Sequence, residues 1–222
     1  MKSIQPERIA DLNTQPVQKG QWVLYWMQQS QRAHDNPALE YAIARANRLD
    51  LPVLVVFALT EGYPEANLRH YRFMLEGLAQ TREQLARRRI GMQVINGDDP
   101  QATLAPLLKK AALLVCDVGY TRHQRNWRDA VAQSCPCSVL AVEGDVVVPV
   151  AVTSPKAEYA ARTIRPKIHR HLERFLVPCP HYRPEHPSDE NSWPGMDLTE
   201  IDGILDELDL DRSVPALSLI HI

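Results

Sequence analysis

Cysteine is scarce in this chain of 222 residues: Cys116, Cys135, Cys137 and Cys179 are irregularly spaced. That excludes the disulfide framework of a small secreted domain. No apolar run approaches the roughly 20 residues needed to span a bilayer. The opening stretch, MKSIQPERIADLNTQPVQKG, lacks the apolar core of a secretory signal. Both absences point to the cytoplasm, with no membrane partner. Charge of one sign is also missing, since the formal net charge is only −2. This argues against a surface generally coated for nucleic acid, although a local basic stripe is still allowed. No GxGxxG follows an early strand, so a dinucleotide pyrophosphate has no glycine cradle. There is no GxxxxGK[ST], no SGGxDS-type loop and no HIGH-type signature, which makes phosphate chemistry an unpromising reading. No internal repeat is visible.

What is present is a regular alternation of apolar runs and amphipathic stretches. Trp22–Met27, Val53–Leu59, Met92–Ile95, Leu113–Asp117 and Ser138–Val142 read as five strands. Their continuous apolar character suits parallel strands covered on both faces. Helices are expected over 37–49, 67–89, 100–110 and 122–133. Asp35 or Asn36 is placed to cap the first and Asp98 or Asp99 the third, each ahead of a proline suited to the first helical position. Such alternation makes an α/β fold, a doubly wound five-stranded parallel sheet (Rossmann-like) with helices on both faces and a helical and linker tail. Right-handed crossovers give the order 3-2-1-4-5. Residues 1–20 read as an arm with at most a short helical turn. Beyond Glu143, the extended run 146–152 suits a crossing segment or an edge strand, Arg165-Pro166 opens a helix, 180–194 is linker, and 199–208 is a short helix capped by Thr199.

In that order the switch point lies between the first and fourth strands, where open α/β sheets bind ligands. Two polar loops meet there. The first holds Gln28, Gln29, Ser30, Gln31, Arg32, His34, Asp35 and Asn36; the second holds Asp117, Tyr120, Arg122 and His123. A planar, hydrogen-bonding ligand and a merely solvated loop with helix caps are both compatible with this pattern. His181-Tyr-Arg-Pro-Glu-His186 and Cys135-Pro-Cys137 lack a second ligand set at zinc-like spacing, so no metal is expected. The run Lys156, Arg162, Arg165, Lys167, Arg170 and Arg174 suits either a DNA backbone or acidic residues of another domain, the second better fitting a helix with an apolar stripe.

Several ordered blocks carry a family resemblance. Arg32-x-x-Asp35-Asn36-Pro37-Ala38-Leu39 resembles a segment near the start of DNA photolyases and cryptochromes. Tyr25-Trp26-Met27-Gln28 is similar to the opening strand of the class II cyclobutane pyrimidine dimer photolyases. Further matches are Asn67–Gly77, Glu158–Ile168 and Ile204–Val214, so the likeness runs from about Trp22 to Pro215.

The resemblance implies an amino-terminal antenna domain, followed in the whole protein by a helical domain that holds FAD and receives UV-damaged DNA. In such proteins reduced flavin, after light absorption, passes an electron to a pyrimidine dimer, and a second chromophore, here expected to be of the 8-hydroxy-5-deazaflavin type, feeds excitation energy to the flavin. Catalytic residues are then expected outside this chain, in the FAD-binding domain that serves as its partner in cis. The antenna site is expected at Trp26, Met27 and Gln28, Arg32 and Asn36, and Cys116, Asp117 and Tyr120. The implied organisation is an arm (1–20), the antenna domain (21–177), and an interdomain linker leading into the helical domain (178–216). Residues 217–222 read as the translation of a sequencing adapter, so the natural protein is expected to continue past Ala216 as a monomeric lyase. A cryptochrome-type blue-light photoreceptor and a stand-alone α/β nucleotide-binding module are the rival readings.

Overall fold

A computed structural model describes residues 3–188 and 195–214. The strands are β1 (Ile9–Asp11), β2 (Trp22–Trp26), β3 (Val53–Leu59), β4 (Gly91–Asn96), β5 (Ala111–Asp117) and β6 (Ser138–Val142). They form one sheet in the order β1-β6-β5-β2-β3-β4. The five strands β2 to β6 run parallel and keep the expected crossover order. Every residue of β2, β3 and β5 is buried, because helices cover both faces. One face packs Val23, Tyr25, Val55 and Leu113 beneath α1 (Pro37–Leu49) and α2 (Leu68–Arg87). The other packs Leu24, Trp26, Val56 and Leu114 beneath α3 (Pro100–Leu108) and α4 (Arg122–Ser134).

Local chemistry sets the helix starts. Asn36 Oδ1 accepts from the N–H groups of Ala38 and Leu39, both at 3.1 Å, so Asn36 rather than Asp35 caps α1. Asp35 instead takes a left-handed backbone, φ 48°. Asp99 caps α3 through Ala102 N–H at 3.1 Å. Thr121 and Gln124 reciprocate across the first turn of α4, a capping box.

The amino-terminal arm departs from expectation. After a 3-10 turn at Pro6–Arg8, β1 adds an antiparallel edge strand to β6. A three-residue strand has no readable period, and its pairing partner lies more than a hundred residues away. The arm then runs along β5, where Gln18 N–H donates to Ala112 O at 3.1 Å. A Cβ on Gly20 would sit 2.3 Å from Ala112 N, so that close approach requires glycine.

The tail also differs. The apolar run 146–152 is not a strand: it turns and becomes a short helix, α5 (Val150–Thr153), in which Val150 is 50% exposed. The following helix, α6 (Ala161–His169), begins before Pro166 and contains it. It breaks at Arg170–His171 before α7 (Leu172–Phe175), which divides the expected single helix. Thr199 does not cap the last helix. Its side chain bonds Asp197, and α8 runs over Ile201–Glu207. Ile204, Leu205 and Leu208 of this segment are buried against α2 and its neighbours. Residues 217–222, read as an adapter tail, lie outside the described residues. Among the described residues no helix is long and apolar enough to cross a membrane.

Candidate functional site

Two depressions are conceivable along the carboxyl edge of the sheet, and the chain fills one of them itself. At the switch point, β2 and β5 diverge around Asp117, which is 4% exposed. Its Oδ2 accepts from the backbone N–H groups of Gln28, Gln29 and Ser30 at 3.0, 2.8 and 3.0 Å. Its Oδ1 lies 2.8 Å from the Tyr25 hydroxyl. Asn36 Nδ2 donates to Tyr25 Oη, Ser30 O and Arg32 O, each at 3.0 Å. Tyr25, Asn36 and Asp117 thus form a buried polar knot that fixes the first loop. Burial raises the Asp117 pKa, opposed by the Ser30, Gln28, Tyr25 and Gln29 hydrogen bonds. Burial and the neighbouring Asp117 push the Tyr25 phenol well above its ordinary value.

The rest of the switch point is closed from outside. Tyr120 donates to Glu143 Oε1 at 2.7 Å, and Ser30 Oγ to Asp145 Oδ1 at 2.8 Å. Arg8 spans the loop beyond β6, donating to the carbonyls of Glu143, Val146 and Val147 at 3.1, 2.9 and 2.6 Å. Burial raises the Tyr120 phenol, helped by Glu143. Arg32 turns back onto Asp35 O and Gly144 O.

The open depression lies one strand over, above the ends of β2 and β3. It is a cavity of about 430 Å³, within the range of small-molecule sites. Phe57, Tyr63, Tyr71, Met74 and Trp127 supply apolar and aromatic walls, while Gln28, Gln29, Gln31 and Gln124 supply amides. Several of these groups are held in place by the protein. Gln124 Oε1 accepts from Thr121 N–H at 3.2 Å, and its amide nitrogen donates to Gln29 Oε1. Gln29 therefore spends its acceptor on Gln124, which leaves its amide N–H groups to face a ligand. Tyr71 Oη lies 2.6 Å from Thr60 O and 2.7 Å from Glu61 O, anchoring the rim. His70 Nδ1 accepts from Asn67 N–H at 3.2 Å, so in the neutral ring Nε2 carries the proton. Tyr63, His123 and Trp127 cluster at the mouth with centroids 6.0 to 6.4 Å apart.

Of the residues expected at the site, Gln28 alone lines this cavity. Asn36 and Asp117 belong to the knot beneath the loop. Met27 is fully buried on one face of the sheet, and Trp26 and Cys116, register partners, are buried together on the other. Burial pushes the Cys116 thiol far up. Arg32 and Tyr120 engage the loop after β6. The loop read from the sequence carries Gln29 and Gln31 of the cavity wall, whereas Phe57, Tyr63, Tyr71, Met74, Gln124 and Trp127 of that wall were not among the expected residues. The available signal was the end of the second apolar run followed by a loop with Gly62 and Pro64, beside the long helix. Among the described residues no group of three or more His, Cys, Asp or Glu could hold a metal ion.

A family model for DNA photolyase matches residues 23–187. The deoxyribodipyrimidine photo-lyase of Methanothermobacter thermautotrophicus is 47% identical over 176 residues, covering 79% of this chain and 39% of that protein. That of Arabidopsis thaliana is 35% identical over 222 residues, covering 93% of this chain and 43% of the relative. The chain thus spans about two-fifths of the length of these curated relatives. Among solved structures, an archaeal photolyase from Sulfolobus tokodaii with two FAD molecules superimposes with a TM-score of 0.61 at 14% identity, covering 82% of this chain and 41% of that one. A class III photolyase from Agrobacterium tumefaciens gives 0.60 at 18% identity, covering 82% and 38%. At these identities the superpositions establish the fold.

Proposed function

Because the chain belongs to the DNA photolyase family, we propose that it is the light-harvesting part of a class II deoxyribodipyrimidine photo-lyase. The observation that carries this reading is the cavity above β2 and β3, whose aromatic walls and ring of glutamine amides suit a flat, heteroatom-edged chromophore. A deazaflavin-type ring would lie between Trp127 and the apolar wall of Phe57 and Met74. The Gln28, Gln29 and Gln31 amides would pair with its polar edge. The switch-point residues serve this site indirectly, since the Asp117 knot holds the loop that presents the three glutamines.

The class II reading rests on the Tyr25–Gln28 block. FAD, held in a further helical domain, would supply the electron that splits a cyclobutane pyrimidine dimer in UV-damaged DNA. Residues 21–177 would be the antenna unit and 178–216 the passage toward that domain. Arg162 and Arg165 of α6 would meet acidic groups of the same domain, as α6 has no buried residue on this one, whereas Lys167 and Arg174 pair with Glu158 and Glu7 of this chain. The protein would act as a monomer.

The test is fluorescence titration of the chain with an 8-hydroxy-5-deazaflavin, first alone and then joined to the remaining part of the 47%-identical relative. Saturable binding and deazaflavin-excited dimer repair by the joined protein are expected. Repair that proceeds with no chromophore uptake would remove the antenna role. Dimer repair by the chain alone would overturn the division of labour between domains.

A further inference from the structure

The Cys135-Pro136-Cys137 turn joins α4 to β6 and takes no part in the site above. Cys135 is the residue that ends α4, and Cys137 immediately precedes β6. Their Sγ atoms lie 3.5 Å apart, and the residues are 3% and 0% exposed. No other thiol is in sulfur contact with either among the described residues, although Cys116 shares their apolar cluster. The pair is rigidly framed. Asn13, from the amino-terminal arm, donates to Ala132 O at 3.2 Å and Cys137 O at 3.0 Å and accepts from Val139 N–H at 3.1 Å. Gln133, Ser134 and Pro136, beside them in the chain, are exposed.

We propose that Cys135 and Cys137 form a two-coordinate site for a soft monovalent cation of the copper(I) and silver(I) class. Two metal–sulfur bonds of roughly 2.3 Å each would require the sulfurs to part by only about 1 Å. Soft thiolates select such cations, which are satisfied by two ligands, whereas zinc requires four. No third or fourth ligand is assembled here among the described residues. The step balances simply: one cation displaces one proton from each thiol, giving a bis-thiolate complex of net charge −1 and two free protons. Arg128, on α4, acts electrostatically on Cys116 of the same cluster, and one of its guanidinium N–H groups donates to Gly119 O at 3.0 Å. Occupancy would staple the end of α4 to the start of β6, adding to stability by mass action.

The experiment uses the full chain carrying Cys179→Ser, which removes the thiol lying outside this cluster, and silver(I) buffered by a competing chelator. One equivalent of silver should bind, release two protons, and raise Tm by several degrees. Apparent affinity should rise by up to about 100-fold per pH unit below the thiol pKa, as two protons leave. Cys135→Ser and Cys137→Ser should each lower affinity by at least 100-fold, while Cys116→Ser leaves it within about threefold. Absence of uptake, release of one proton, or equal loss in Cys116→Ser would overturn the proposal. Should a substituted chain fail to fold, alkylation mapping of the Cys179→Ser chain decides. Silver must protect Cys135 and Cys137 together, and protection of only one rejects the site.

Discussion

Two places on the same sheet edge received polar residues from the same loop and met opposite fates. Between β2 and β5, the loop's own N–H groups converge on the Asp117 carboxylate, and Tyr120, Glu143 and Arg8 seal what remains. Between β2 and β3, the loop turns its glutamine side chains outward toward Tyr63, Met74 and Trp127, leaving a cavity of about 430 Å³. The difference lies in where hydrogen-bonding capacity is spent. A buried carboxylate must find donors, and here it takes them from the backbone. The glutamine side chains meet no carboxylate: Gln31 donates one amide N–H to Gln28 O and Gln124 one to Gln29 Oε1, which leaves the Gln29 amide N–H groups free of those bonds. A conventional binding location can therefore serve as the buttress of the cavity beside it.

Breaking the buttress should produce the largest effect. Asp117→Ala leaves three backbone N–H groups and the Tyr25 hydroxyl without their acceptor, and should cost about 3–5 kcal/mol in urea unfolding. A loss below about 1 kcal/mol would show that the knot does not hold the loop. Asn36→Ala removes the α1 cap and three donated bonds, and should cost about 2–3 kcal/mol on the same measurement.

The cavity should respond in the opposite sense. Trp127→Ala is expected to weaken deazaflavin binding by about 10–100-fold, or roughly 1.4–2.7 kcal/mol, because one wall is lost. Stability should change by less than about 1 kcal/mol, since Trp127 is only partly buried. If Asp117→Ala and Trp127→Ala both act chiefly on stability, the contrast between buttress and cavity fails.

The smallest expected effect is a pH dependence. Burial raises the Asp117 pKa above the ordinary carboxylate value. For a raised carboxyl the folded state favours the protonated form. Its contribution is therefore greatest below the unfolded value near 4 and is lost as pH rises through the folded value. Asp117→Asn presents one oxygen and one amide in the shape of the protonated acid. Relative to the wild type, this variant should gain stability as pH rises from 4 to 8. A constant difference across that range would mean that the carboxylate is not penalised.

Much of the scaffold was legible because each element's signal is local. The runs at 22–27, 53–59 and 138–142 announced strands, and capping chemistry placed the start of α1 at Asp35 or Asn36 ahead of Pro37. The arm was less readable, since β1 depends on a partner strand and has too few residues for a period. At the site, the sequence indicated the loop but not its division of labour. Asp117 and Ser30 are 87 positions apart, and no local pattern tells a carboxylate aimed at backbone from one aimed at a ligand. The wall residues were missed for a related reason. Phe57, Tyr71 and Met74 look like core on their own elements and face a cavity only once β3, α2 and α4 are assembled.

By itself, then, the chain determined a parallel sheet with covered faces, the order of its five parallel strands and the starts of α1 to α4, because burial and capping act within a few residues. Tertiary structure alone decided which opening stayed open. That outcome depends on which donors and acceptors distant segments bring together, and on whether they satisfy one another before a ligand can.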